Sequence, residues 1–246
     1  MNRLARYLPL AILALAWEVI ARAGIVSSSA LPPLTKVAEA WWGLARDGEL
    51  WTHAAASLWR AGAGLFCAIS IGVVLGVGMA WWRPADLVLG PFVEIFYPLP
   101  KSALIPVTAL WLGFGDGSKI LLIALGCMLP VTIGAYNGAR SADRMLVWSA
   151  RGLGASRLRM LRDVVVPSAL PELLGGIRTA LAISFVLLIA SELIVARAGF
   201  GYLIGFLGSN GTYEPMFAVV LTVAFLGFVV DRLWQSFTRR LFLWRE

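Results

Sequence analysis

The fold class this sequence predicts is an all-helical polytopic membrane protein with about six transmembrane helices, and three observations carry it. Hydrophobic residues make up 59% of the 246 and charged residues only 14%, too apolar for a soluble domain, whose surface is normally rich in charge. Runs with few or no charges recur at Leu8 to Ala23, Ala61 to Trp82, Ser102 to Gly115, Ile120 to Asn137, Thr179 to Ala196 and Pro215 to Val230. Positive charge is gathered between two of them: Arg140, Arg144, Arg151, Arg157, Arg159, Arg162 and Arg178 lie in or beside Trp148 to Leu181, whereas Ile120 to Ala139 has no charge at all.

The first run is short, since a span takes roughly 20 apolar residues with about 17 tolerated, and it needs its flanks to cross. Arg3, Arg6 and Ala21-Arg22-Ala23 imitate a signal peptide with its cleavage site, while Glu18 inside the run argues for a span that stays. Residues 24–59 read as a polar outer segment, with a turn at Leu31-Pro32-Pro33 and an amphipathic helix around Thr35 to Ala45, where Val37, Ala40, Trp41 and Leu44 recur at helical spacing. Trp41, Trp42, Trp51 and Trp59 fit either an aromatic belt at the bilayer surface or packing under a loop. His53 reads as a solvated loop residue.

The second span carries Gly64, Ala68, Gly72, Gly76 and Ala80, a small residue at every fourth position. At about 100° per residue such a stripe drifts slowly round the helix and leaves one slanted face nearly flat. In lipid, where helices associate by close packing, that face suits another span of the same subunit or of a second copy. The third span begins beside Pro98, Pro100 and Lys101 and meets Pro106. Its regular hydrogen bonding is therefore interrupted where lipid cannot satisfy the freed carbonyls, which makes Pro98 to Thr108 either a pathway wall or a bent start to the helix. GFGDGS at 113–118 reads as an outer turn before the fourth span.

The charged segment at residues 138–176 reads as two short helices around a glycine turn. Asp143 or Ser141 can cap the first, which runs through Trp148, Ser149 and Ala150; Gly152 and Gly154 break it; the second starts near Ser156 and stops before Pro167. The result is a projecting knob with arginines outside and Leu153, Leu158 and Leu161 available for packing. In the fifth span Glu192 demands explanation, because an ionisable group deep in a bilayer faces protein or water. It serves as a gate or pathway residue, or as a structural hydrogen-bonding group inside the bundle. Cys67 and Cys127 lie inside spans as small hydrophobes. With one His and two separated Cys, neither haem ligation nor a metal cluster has its ligands, and no catalytic residue is expected.

Basic loops stay cytoplasmic. With both termini inside, Arg3, Arg6, Arg83, Lys101, the seven arginines above, Arg232, Arg239, Arg240 and Arg245 fall on the cytoplasmic side, fifteen of the 21 basic residues. Arg22, Lys36, Arg46, Arg60, Lys119 and Arg197 fall outside or at the edge. Topology alone thus accounts for the net charge of +7, with no need of nucleic acid.

The charged segment resembles the "EAA" loop of permease subunits of bacterial ABC importers, with Ala150, Gly154, Val164, Val166 and Pro167 in register and Trp148 and Ser149 replacing the family's Glu and Ala. SLWRAGAG, PLPKSALIPVTALWLGFGDGSK, GIRTAL, ASELI, GFGYLI, DRLW and RRLFLW extend the likeness from Leu31 to Trp244 and are similar to the branch serving aliphatic sulfonates, taurine, nitrate and related solutes. The resemblance implies a type I importer permease fold in a single transmembrane domain over 1–246, multi-pass in the inner (plasma) membrane, with the first run kept as a span. It also implies a coupling loop, with Ala155 and Arg157 beside the residues just named, that docks on two copies of an ATPase subunit. A homodimer enclosing an alternating-access path, and a periplasmic or lipoprotein solute-binding protein that delivers cargo, follow from the same likeness. ATP and Mg²⁺ would be bound by the partner, since this chain has no G-x-x-x-x-G-K-[ST] phosphate loop. The same family with a vitamin precursor or an aromatic acid as cargo is the alternative.

Overall fold

The computed structural model describes residues 8–242, among which there are helices and short links but no strand. Arg3, Arg6 and Arg245 of the charge count, and Leu243 and Trp244 of the tail motif, lie outside the described residues. The helices are α1 (Leu8–Arg22), α2 (Leu34–Arg46), α3 (Glu49–Trp81), α4 (Arg83–Phe96), α5 (Ile105–Leu112), α6 (Asp116–Arg140), α7 (Arg144–Gly152), α8 (Arg157–Met160), α9 (Val166–Val195), α10 (Phe200–Ser209) and α11 (Tyr213–Leu241). A 3₁₀ turn at Lys101–Leu104 precedes α5, and a π-helical turn at Leu161–Val165 joins α8 to α9, so that Arg157–Val195 is one helical rod of 39 residues.

Among the described residues four helices, α3, α6, the Arg157–Val195 rod and α11, are long and apolar enough to cross a membrane. A fifth crossing arises if α4 and Lys101–Leu112, bent by 96° at their junction, act as one broken span. The expected third span needs correction. Its α-helix covers 8 residues, about 12 Å of rise, against a hydrocarbon core of about 30 Å. The bent pair adds α4, over residues for which the sequence suggested no helix of membrane length. The first expected run is α1, 15 residues within the described part.

By their contacts the described residues form two compact units, 58–191 with 227–242 and 8–57 with 192–226. The first is organised round α6, in which Leu122, Ile123, Cys127, Val131 and Ala135 are fully buried. The small-residue stripe of α3 lies on it: a Cβ on Gly64 would come within 2.7 Å of Ile123 Cβ, one on Gly72 within 2.9 Å of Val131 Cβ, and one on Gly76 into the Thr132 carbonyl. Ala68 is buried between them. On the far side of α6, a Cβ on Gly138 would meet the Ala169 carbonyl at 2.6 Å and one on Gly176 the Pro130 carbonyl at 2.5 Å, so α6 and α9 also touch backbone to backbone. Close approach of this kind replaces the hydrophobic drive that lipid removes. Arg178 of α9 pairs with Asp231 of α11 at 2.7 Å.

In the other unit α1 and α2 are tied by Glu18, which binds Arg22 at 2.6 Å and accepts from Thr35 Oγ1 at 3.0 Å and, at 3.4 Å, from the Thr35 amide at the start of α2. Trp17 donates to the Pro32 carbonyl at 2.9 Å and packs edge-on against Phe217 of α11. Trp41 donates to Thr222 of α11 at 3.0 Å, so this tryptophan is a packing residue, whereas Trp42 and Trp51 are exposed, as is Trp59 of the larger unit.

Candidate functional site

The charged loop owes its shape to local rules. Asp143, not Ser141, caps α7, accepting from the Met145 amide at 2.8 Å, while Ser141 donates to the Gly138 carbonyl. At the other end Gly154 takes φ +78, the Gly154 amide donates to the Arg151 carbonyl and the Ala155 amide to the Ala150 carbonyl, each at 3.0 Å. This pair of bonds is a Schellman motif, which reverses the chain through a left-handed residue that favours glycine. Ser156 then caps α8 through the Arg159 amide at 3.3 Å. Trp148, Leu153 and Leu158 are 62%, 89% and 74% exposed, interspersed along the loop with exposed Arg151, Arg157 and Arg159.

The expected stop before Pro167 does not occur. The Val166 amide bonds to the Leu161 carbonyl, five residues back, and this wider π turn carries the Asp163 carbonyl clear of the proline ring, which would collide with it in α register. The second loop helix is therefore the end of a membrane-length rod. Its root is clamped by a core of Ala139, Val165 and Ala169, against which Ala80, Ala142 and Leu161 pack. Ala80, the last of the small stripe, thus touches the base of the loop. Leu161, expected to be free for packing, is already used there.

Pro98 and Pro100 sit in the break between α4 and the 3₁₀ turn, and Pro106 starts α5, where a proline costs no helical bond. The freed carbonyls are collected by Lys101, whose Nζ donates to Phe96, Tyr97 and Leu99 at 2.9, 2.6 and 2.8 Å. Lys119 does likewise at the end of α5, donating to the Phe114 and Gly115 carbonyls at 2.6 and 3.1 Å. A cation at a helix C-terminus complements the dipole there. Sequence reasoning treated both lysines only as topology markers.

Glu192 is 1% exposed, and its carboxylate accepts from Ser57 Oγ at 2.8 and 2.9 Å and from the Gly201 amide at 3.0 Å. Ser57 Oγ in turn accepts from the Phe200 amide at 2.8 Å, and His53 Nδ1 from the Gly199 amide at 2.9 Å. The first amides of α10, which have no partner within their own helix, are thereby satisfied by α3 and Glu192, with the negative charge at the favourable end of the dipole. Gly199 has φ +116, and a Cβ there would fall onto the Glu192 carboxylate. His53 is corrected from a loop residue to a member of α3, stacked on Tyr202 at 5.8 Å. Ser57 and Gly199 begin two of the motifs that carried the resemblance; nothing in the sequence tied either to Glu192. Among the described residues no group of three His, Cys, Asp or Glu could hold a metal.

Comparison with known proteins bears on the whole chain. Over 240 residues it is 34% identical to the taurine transport system permease protein TauC of Escherichia coli (strain K12), covering 96% of this chain and 87% of that protein. It is likewise 34% identical, over 97% of this chain and 86% of the relative, to a Bacillus subtilis (strain 168) protein assigned to aliphatic sulfonates transport as the permease SsuC. A chain of the MetNI methionine ABC transporter, solved in inward facing conformations, shares the fold with a TM-score of 0.63 at 23% identity, over 81% of this chain and 96% of that one. Residues 68–243, which hold the broken segment, the capped loop and Glu192, match the model of one family, and the chain belongs to it: the binding-protein-dependent transport system inner membrane components.

Proposed function

We propose that this chain is the membrane-spanning subunit of an ATP-driven importer of small organic sulfonates, in which two copies enclose an alternating-access path and both termini are cytoplasmic. ATP and Mg²⁺ are bound by two copies of a separate ATPase subunit, and a solute-binding protein delivers cargo from outside. The taurine and sulfonate relatives support the substrate class. The observation that carries the mechanism is the knob: of its exposed apolar side chains Trp148, Leu153 and Leu158, Leu158 sits on the head of the Arg157–Val195 rod, and Trp148 and Leu153 belong to α7 and its cap, joined to that head by the Gly154 turn. A patch on a stiff rod moves its membrane portion when an ATPase groove moves the patch, whereas a helix ending before Pro167 would absorb the displacement in a joint. The break at Pro98, Pro100 and Pro106 supports a pathway wall, because irregular backbone is tolerated at membrane depth only against protein or water. Glu192 acts from within, holding α10 to α3.

Gly154→Glu tests this reading. A Cβ at Gly154 meets nothing within 4 Å, so the variant costs the fold only the left-handed strain, about 1–2 kcal/mol, while the knob gains bulk and negative charge. The variant is expected to insert normally but to release the ATPase subunit on co-purification, or to uncouple binding-protein-stimulated hydrolysis from uptake in vesicles. Gly154→Ala carries the strain alone and keeps the partner. If Gly154→Glu assembles and transports like wild type, the knob is not the docking element.

A further inference from the structure

We propose that Lys101 is the cation an anionic solute meets midway across the membrane, held for that encounter in the break between α4 and α5; the idea rests on the transport reading above. Depth is the first argument. Lys101 Cγ and Cβ lie 3.4 and 3.5 Å from where a Cβ on Gly126 would stand, and Leu187 Cδ1 fills the same spot. Gly126 is the eleventh of the 25 residues of α6, about 15 Å from its start. Leu187 lies midway between Arg178 and Val195 on the rod. Two helices thus independently set Lys101 beside the middle of their apolar stretches, whereas its charge alone puts it on the cytoplasmic side. A charge at that depth is costly and marks a solute path more often than a scaffold.

Charge balance is the second argument. The three carbonyls satisfy the ammonium's three N–H donors, yet carbonyls are dipoles and leave the full positive charge in place. No described carboxylate forms an ion pair with it, Glu94 at the end of α4 included. The break is also accessible. Tyr97 and Leu99 are exposed, and so are Pro98, Pro100 and Ser102, and bare non-helical backbone cannot face lipid, so this surface borders water or a second copy of the chain. Leu99 belongs to the non-helical link. A sulfonate oxygen can therefore replace its carbonyl on the ammonium without unwinding either helix, and the broken-helix setting at mid-depth is the kind in which transporters hold solutes.

The test uses the complex reconstituted in vesicles with its ATPase and binding protein, with ethanesulfonate as the probe. Lys101→Gln still offers N–H donors to the carbonyls but no charge. It is expected to co-purify with the ATPase and keep binding-protein-stimulated hydrolysis while uptake falls about tenfold or more; Lys101→Arg keeps uptake. Wild-type uptake by Lys101→Gln, or loss of stimulated hydrolysis in step with uptake, overturns the proposal and leaves Lys101 a carbonyl cap. Should Lys101→Gln fail to assemble, Lys101→Cys in a chain with Cys67 and Cys127 replaced decides the matter. Aminoethylthiolation, which restores the ammonium, rescues uptake and methylthiolation does not; equal effects of the two reagents overturn it. A wild type that carries only uncharged solutes also refutes the role of Lys101 while transport itself stands. A wild type that carries none removes the transport reading, and this inference with it.

Discussion

Replacing Glu192 by Gln tests whether an acid inside an apolar helix is there to hold another helix by its amides. The carboxylate accepts hydrogen bonds from the Ser57 hydroxyl and the Gly201 amide, and both bonds are charge-assisted. Each such bond contributes about 1.5–3 kcal/mol, against about 0.5–1.5 for a neutral one. A glutamine has one acceptor oxygen on that end, so it keeps one bond in weakened form and turns an NH₂ toward the other donor. The net loss is about 2–4 kcal/mol, reduced somewhat because no charge is then buried. Since 1.4 kcal/mol is a factor of about ten, the Phe200 and Gly201 amides should exchange with deuterium about 30- to 1000-fold faster if their protection is governed by local opening of α10.

Amide exchange of the purified complex, resolved on a peptide over residues 197–206, reads this directly, alongside insertion and uptake. The variant should insert normally, exchange faster at α10 and transport poorly across external pH. Glu192→Ala, which orphans both donors, should be worse than Glu192→Gln, and Gly199→Ala should resemble it because its Cβ occupies the carboxylate position. Wild-type protection in Glu192→Gln would refute the cap, and wild-type uptake with lost protection would reduce it to scaffolding without bearing on transport.

The matched pair Gly76→Ala and Gly78→Ala separates contact from propensity: the first drives a methyl into α6 backbone and should lower the complex's melting stability by about 1–3 kcal/mol, while the second meets nothing within 4 Å and should gain up to about 1 kcal/mol. Equal effects would mean that α3 and α6 do not touch along this stripe. For orientation, in a chain with Cys67 and Cys127 replaced, a cysteine at Thr212 should react with an impermeant thiol reagent in intact cells and one at Arg157 only after lysis. Labelling of position 157 in intact cells would invert the topology.

What the sequence determined by itself is what depends on neighbours along the chain. Apolar runs of membrane length require helices, because lipid offers no partner for a free amide. Asp143, Gly154 and Ser156 set the ends of α7 and α8 through bonds to residues no more than five positions away, which is why the loop was legible in detail. The stripe from Gly64 to Ala80 announced a contact face for the same reason, through helical period alone. Only the tertiary structure decided what depends on partners far off in sequence. It put α6 on that stripe, made Ser57 and the Gly201 amide the partners of Glu192, and set Lys101 against Gly126. Pro167 lies between the two cases: its ring forbids α register locally, but whether the chain stops or widens into a π turn depends on packing at Val165 and Ala169, which holds the helix together across the proline. Local rules say where a backbone bond is lost; the fold decides which distant group makes good the loss.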